Sequence, residues 1–251
     1  MLVERGLVES RSKAAALAMA GKVYSGERRL DKPGLKLAAD TPLSLRQAAH
    51  PWVSRGGVKL AHALDHFALD ASGRTALDIG ASTGGFTDVL LARGAARVYA
   101  VDVGYGQLAD KLRRDDRVIV LERTNARHIG PEQVPEPVGA VVCDASFIGL
   151  STILPAALAL AAPGAFLIAL IKPQFEAGRA RVGKGGIVRD PAVHAEICDA
   201  MGAWLSAQPG WQLLGICESP ITGAEGNKEF LMAGISPSSP AGKKGWEEGE
   251  S

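Results

Sequence analysis

The stretch Thr75-Ala76-Leu77-Asp78-Ile79-Gly80-Ala81-Ser82-Thr83-Gly84-Gly85-Phe86 decides the fold. Its first five residues form a short, mostly apolar run of strand character, and its glycines mark a turn that opens into a helical stretch. Gly80, Gly84 and Gly85 let the backbone approach a ligand, and the start of the next helix offers amide donors without partners inside that helix. Strand, glycine turn and helix in this order make the first unit of a parallel sheet whose ligand lies beyond the strand ends.

Downstream, further apolar runs at 97–102, 118–122, 140–143 and 165–171 alternate with helical stretches. The alternation predicts an α/β fold with a doubly wound, mostly parallel sheet. Residues 150–162 read as a helix, Pro163-Gly164 as the turn after it, and 165–171 as a buried strand. The span 145–171 carries no charge and exceeds the roughly 20 residues a membrane helix needs. Pro155, Pro163 and Gly164 interrupt it, so it is read as core. Two late runs, 211–217 and 228–233, are too close for a long crossover and are expected to pair antiparallel at one edge. That ending separates Rossmann-like methyltransferase sheets from ordinary dinucleotide folds. Residues 236–251, rich in Ser, Pro, Gly and Glu, are expected to be disordered.

The turn departs from G-x-G-x-x-G, because Ala81-Ser82 occupies its middle and Asp78 precedes its first glycine. A carboxylate there repels a pyrophosphate but suits the ammonium of a methionine moiety. Gly80, Ala81, Ser82, Gly84, Gly85 and Phe86 are the expected cradle. Asp102, ending the second strand, is placed to accept the ribose hydroxyls of an adenosine, a role that NAD would use equally. Asn125, after the third strand, is a candidate neighbour of the adenine and equally a plain turn residue.

Composition bounds the rest. The 251 residues are 47% hydrophobic and 22% charged, as in ordinary soluble globular proteins. The net charge of +1 conceals a split: residues 1–59 hold 11 Lys/Arg against 5 Asp/Glu, and the remainder 17 against 22. A basic recognition module on a mildly acidic body has that signature. Cys143, Cys198 and Cys217 stand far apart and read as apolar residues of a reducing compartment. His62 and His66 share a helix face, but no third ligand is visible beside them in the sequence, so no metal is expected. Residues 1–21 carry Glu4, Arg5, Glu9, Arg11 and Lys13, so no signal peptide is visible and a cytoplasmic protein is expected.

At the N-terminus, Arg5-Gly6-Leu7 and Ser10-Arg11-Ser12-Lys13-Ala14 lead into an Ala/Leu-rich helix ending at Gly21. Lys22-Val23-Tyr24, a turn at Ser25-Gly26, and Lys32-Pro33-Gly34 before Leu35-Lys36-Leu37 follow. The segment resembles the S4-type RNA-binding domain, and the resemblance implies further residues before Met1 to complete the first helix. Ser10 is a candidate helix cap. Arg5, Arg11, Lys13, Lys22, Arg28, Arg29 and, further on, Arg55 are the expected RNA contacts, made to phosphates and setting register. Residues 1–46 are read as this small α+β domain and 47–54 as a linker, with Trp52 as a packing anchor between the two parts. The catalytic body is read as 55–235.

Four polar residues mark that body: Lys59 in Ser54-Arg55-Gly56-Gly57-Val58-Lys59, Asp144 after Val141-Val142-Cys143, Lys172 after Ala169-Leu170-Ile171, and Glu229 in Gly226-Asn227-Lys228-Glu229-Phe230. The order Lys-Asp-Lys-Glu resembles the tetrad of FtsJ-like ribose 2′-O-methyltransferases. With the N-terminal module, the chain resembles the TlyA family, described both as haemolysin A and as a ribosomal RNA methyltransferase. Residues 54–59, 80–87, 102–108, 122–127, 144–150 and 172–176 carry the resemblance. It implies S-adenosylmethionine as cofactor, with Asp78, Asp102, Asn125 and Asp144 near it, and 2′-O-methylation of a cytidine in ribosomal RNA. It also implies a large-subunit target in all members and an additional small-subunit target in those with longer ends. The ends here lead us to expect the large subunit alone.

The chemistry fits the residue types. A ribose hydroxyl is a weak nucleophile, and a lysine against it can orient it and stabilise the developing alkoxide. Like charge from Lys59 and opposite charge from Asp144 and Glu229 act on Lys172 in opposite senses. Two other classes compete: a membrane-active haemolysin, discriminated by liposome leakage, and a non-catalytic RNA-binding assembly factor, discriminated by cofactor binding. A nicotinamide oxidoreductase is a distant fourth reading.

Overall fold

The computed structural model describes residues 1–236 except 9, 20, 27, 31, 33, 39, 46–49, 179, 180, 184, 224 and 225. The tail expected to be disordered thus lies, from 237 onward, outside the described residues. Compactness divides the chain into Met1–Pro51 and Trp52–Ser251.

In the first unit, helix α1 (Arg11–Met19) precedes three short strands, β1 (Val23–Ser25), β2 (Arg28–Arg29) and β3 (Ser44–Leu45), paired antiparallel in the order β2-β1-β3. The Ser10 hydroxyl accepts the Lys13 amide at 3.1 Å, so it caps one of the helix's free donors. Ala18, Val23 and Leu30 are buried together, with Leu2, Leu17, Leu37, Leu43 and Leu45 around them. Arg11, Lys13 and Arg28 are exposed and Lys22 is half-buried. Arg5 instead donates to the Thr41 carbonyl at 2.6 Å. The side chain of Arg29 lies outside the described residues.

The second unit is a seven-stranded sheet flanked by helices. Its strands are β4 (Thr75–Ile79), β5 (Arg97–Val101), β6 (Val118–Leu121), β7 (Val138–Cys143), β8 (Ala161–Ile171), β9 (Gln212–Glu218) and β10 (Phe230–Ile235). They run in the order β6-β5-β4-β7-β8-β10-β9. The first five are parallel, and β10 is antiparallel to both β8 and β9. Alternation along each strand builds two cores. Leu77 and Ile79 face one, with α5 (Leu150–Leu158) and α7 (Pro191–Ser206). Ala76, Val98, Val142 and Ile168 face the other, with α2 (Gly56–His66) and α3 (Gly85–Ala92). Short helices α4 (Asp110–Arg113) and α6 (Pro173–Glu176) and a 3-10 turn, Ala126–His128, complete the unit.

Three expectations need correction. Helix α5 stops at Leu158, and Pro163-Gly164 lies inside β8. Pairing there jumps from Ala161 opposite Val138 to Phe166 opposite Ala140, so the turn signal marks a bulge, with Gly164 at φ +75°. The expected linker ends early. Val53 donates its amide to Asp88 at 2.8 Å, and Trp52 packs against Gly57, where an added Cβ would lie 2.4 Å from the indole. Trp52 is therefore part of the body's own packing. The late strands begin one or two residues beyond the expected starts, and Lys228 precedes β10 rather than opening it. Among the described residues no helix is long and apolar enough to cross a membrane.

Candidate active site

The parallel strands all end at one edge of the sheet, and the residues that follow them face two adjoining cavities. The larger, about 540 Å³, is lined by Ser54, Lys59, Phe86, Asp144, Lys172 and Glu229 among others. The second, about 500 Å³, is lined by Asp102, Val103, Asn125, Ala126, Ile148 and Ile153. Gly80, Ser82, Asp144, Ser146 and Phe147 line both. The first cavity holds both lysines, and the second places Asp102 and Asn125 among apolar side chains, with the glycine turn between the two.

The turn is held closely. Gly80 adopts φ +79°, and a Cβ there would sit 3.0 Å from the Ala145 backbone. At Gly85 a Cβ would fall 2.2 Å from the Ser54 hydroxyl and 2.9 Å from the Gly57 nitrogen, so glycine permits α3 to start against α2. Alternation turns Asp78 away from Leu77 and Ile79, toward α3. Its Oδ2 accepts the Thr87 hydroxyl at 2.6 Å. Oδ1 is buried and has no hydrogen-bond partner among the described residues. Burial raises the carboxyl from its ordinary 3.8 to about 7, against the opposing bond from Thr87. Asp78 is wholly buried beneath the turn and lines neither cavity.

Asp102 lies at the second cavity, but its carboxylate already accepts the Ser82 amide at 2.8 Å and the Gly104 amide at 2.7 Å. Each oxygen keeps a free acceptor site while the bonds fix its direction. Asn125 lines the same cavity, and its side chain caps the 3-10 turn by accepting the Arg127 amide at 3.1 Å. Ala81 and Phe86 are buried beside the larger cavity.

The four polar residues of the body converge as two ion pairs. Lys59 Nζ meets Glu229 Oε2 at 2.5 Å, and Lys172 Nζ meets Asp144 Oδ1 at 2.7 Å. Lys172 also donates to the Asp144 carbonyl at 3.2 Å and to Ser146 Oγ at 2.9 Å. Lys59, Lys172 and Glu229 are each less than a tenth exposed. Buried pairs of this kind recover little net stability against their desolvation, so their clustering at a cavity points to chemistry rather than to folding. Arg55 sits on the rim, exposed, donating to the Thr222 carbonyl at 3.0 Å.

Several site residues escaped the sequence reading. Ser146 completes the acceptors around Lys172 and lies inside the 144–150 string, where the sequence singles out Asp144 alone. Asn227 stands two residues before Glu229, a plain polar neighbour in the sequence. It is buried, accepts the Val188 amide at 3.2 Å and donates to the Gly186 carbonyl at 3.0 Å. Phe147, at φ +67° and 91% exposed, stands at the mouth with its ring 5.2 Å from that of Phe175. An exposed aromatic in left-handed backbone is strained, and nothing in its local sequence announces it. His62 and His66, which have no third ligand candidate beside them in the sequence, are joined in the fold by Cys217.

The site fits S-adenosylmethionine on its own terms. Beneath the glycine turn that borders both cavities a buried carboxylate oxygen lacks a donor, and the oriented Asp102 carboxylate lies in the second cavity. Residues 52–235 match the family described as FtsJ-like methyltransferase. A candidate rRNA methyltransferase of Bacillus subtilis, YqxC, is 53% identical over 234 residues, covering 92% of this chain and 83% of its own. The 16S/23S rRNA (cytidine-2′-O)-methyltransferase TlyA of Mycobacterium tuberculosis is 49% identical over 232 residues, covering 92% and 86%. A solved structure of a candidate hemolysin from Streptococcus thermophilus superposes with a TM-score of 0.75 at 43% identity, covering 95% of this chain and 87% of that one. The chain therefore belongs to the TlyA family, and its body is an FtsJ-like methyltransferase domain.

Proposed function

We propose that this protein transfers a methyl group from S-adenosylmethionine to the 2′-hydroxyl of a cytidine in ribosomal RNA. The observation that carries the proposal is the pairing of Lys59 with Glu229 and of Lys172 with Asp144 in one cavity beside the glycine turn. When bound, the cofactor supplies a sulfonium methyl that is already electrophilic, so the protein's task is to ready the hydroxyl.

Lys172 is the residue we assign to that hydroxyl. As an ammonium it has three donors, and it meets the Asp144 carboxylate, the Asp144 carbonyl and Ser146. Exchanging one of these for the ribose oxygen would orient the nucleophile and stabilise the charge that develops as the O–H proton leaves to solvent. Asp144 and Ser146 hold Lys172, and the Lys59–Glu229 pair lines the same cavity. On the cofactor side, Asp78 Oδ1 is the proposed acceptor for the ammonium and Asp102 for the ribose hydroxyls, with Asn125 beside the adenine. Gly80, Ala81, Ser82, Gly84, Gly85 and Phe86 form the turn between them.

The first unit is the proposed S4-type RNA-binding domain. Exposed Arg11, Lys13 and Arg28, with Lys22 and Arg29, would meet phosphates, and Arg55 would do so at the rim of the body. Arg5 is a weaker candidate, because it already serves Thr41. Large-subunit RNA is the target common to the family resemblance, and the Mycobacterium relative's name carries 23S beside 16S. The working compartment is then the cytoplasm, where ribosomes are assembled. Labelling isolated subunits with methyl-labelled cofactor tests the assignment: label on large-subunit RNA alone is expected, and equal label on both subunits would refute the single target.

A further inference from the structure

Away from the catalytic cavity, His62 and His66 of α2 and Cys217 of β9 stand together on the second unit. One ligand atom from each lies within 4.8 Å of the others. The histidines are one helical turn apart on the same face, with ring centroids 5.7 Å apart and planes at 26°. Cys217 comes to them because β9 is the outermost strand of the sheet face that α2 covers, paired through Leu231 to β10. None of the three side chains makes a hydrogen bond among the described residues. His62 and Cys217 are half-buried and His66 is exposed, so the cluster is open to solvent.

We propose that His62, His66 and Cys217 bind a zinc-class divalent ion, with water in the remaining position. Two imidazoles and a thiolate select Zn²⁺ or Co²⁺ over Mg²⁺ or Ca²⁺, which require oxygen ligands. Tetrahedral zinc holds its ligands about 2.0–2.3 Å away, so ligand atoms stand roughly 3.3–3.8 Å from one another. The present spacing closes to that with side-chain rotations of about an ångström, and exposed His66 is free to make them. Cys217 would bind as the thiolate, its proton passing to solvent as the ion is taken up. The ion would staple α2 to β9. Helix α2 carries Lys59, and β10, next to β9, begins directly after Glu229. The metal would therefore brace both supports of that ion pair from outside the cavity.

The test is titration of the metal-free, full-length protein with Co²⁺, followed by displacement with Zn²⁺. One equivalent should produce thiolate-to-cobalt charge transfer and the intense d–d bands of four-coordinate cobalt, both abolished by Zn²⁺. Cys217→Ser should lose the charge-transfer band, and His66→Ala should bind at least tenfold more weakly. Zn²⁺ should raise the Tm of the wild type but not of His66→Ala, whose replacement at an exposed position leaves the fold intact by circular dichroism. Absence of a thiolate band in the wild type would overturn the proposal. So would a band that survives in Cys217→Ser, since it would belong to Cys143 or Cys198.

Discussion

Lys172→Ala separates chemistry from binding. Lys172 faces the proposed hydroxyl, whereas the cofactor's proposed partners are Asp78 and Asp102. Turnover should fall by at least about 10²–10³-fold, the usual effect of removing a donor from a developing oxyanion. Calorimetry should find cofactor affinity within a few-fold of wild type, and near-normal turnover would remove Lys172 from the mechanism. Asp78 has a different signature. Its carboxyl titrates near 7 in the folded protein against an ordinary 3.8, so the native state holds an extra proton between those values. Its burial is harmless below about pH 4 and costs most above about pH 7. The wild type should thus lose on the order of a few kcal/mol relative to Asp78→Asn as pH rises through that window. If Oδ1 meets the cofactor's ammonium, affinity should tighten from about pH 5.5 to pH 7 in the wild type, by up to about tenfold per pH unit, and stay flat in Asp78→Asn. A flat wild-type profile would leave Asp78 with only its bond to Thr87. At this scale the sequence was legible where a residue ended an apolar strand, as with Asp102, Asp144 and Lys172. It was opaque for Ser146 and Phe147, whose roles come from side chains brought in by other segments.

Between the catalytic residues and the sheet lie the elements that aim them, and the contact of α2 with α3 is the most exposed to test. Gly85→Ala would push a methyl to within 2.9 Å of the Gly57 nitrogen, which cannot yield as a flexible side chain would. The helices must part, and Lys59 moves with α2. Stability should fall by about 1–3 kcal/mol by denaturant titration, and methyl transfer should fall further than that loss explains. A variant with wild-type stability and activity would mean that the helices are not held against each other. The five parallel strands could be read in advance because burial on both faces gives uninterrupted apolar runs. Pro163-Gly164 was misread because a bulge uses the same residues as a turn, and only pairing with Val138 and Ala140 distinguishes the two. The His62–His66–Cys217 cluster was invisible because its members lie on a helix and a strand at opposite ends of the unit's sequence.

For the whole molecule, the division after Pro51 makes the two units separable. Removing residues 1–51 should leave a cooperatively folding body that binds S-adenosylmethionine normally. That body should lose most of its affinity for ribosomal RNA and most of the steep salt dependence that phosphate contacts confer on the full chain. Unchanged methylation by the body alone would contradict the assignment of the first unit to RNA. The proposed reaction itself has one reacting atom on the RNA, the 2′-oxygen of the target nucleotide. The most direct measurement is therefore methyl transfer to large-subunit RNA carrying a single deoxyribose at the mapped cytidine, beside the same RNA with ribose there. The account predicts one methyl per ribose-containing molecule and none on its deoxy counterpart. Labelling of that nucleotide at an equal rate in both RNAs would contradict it.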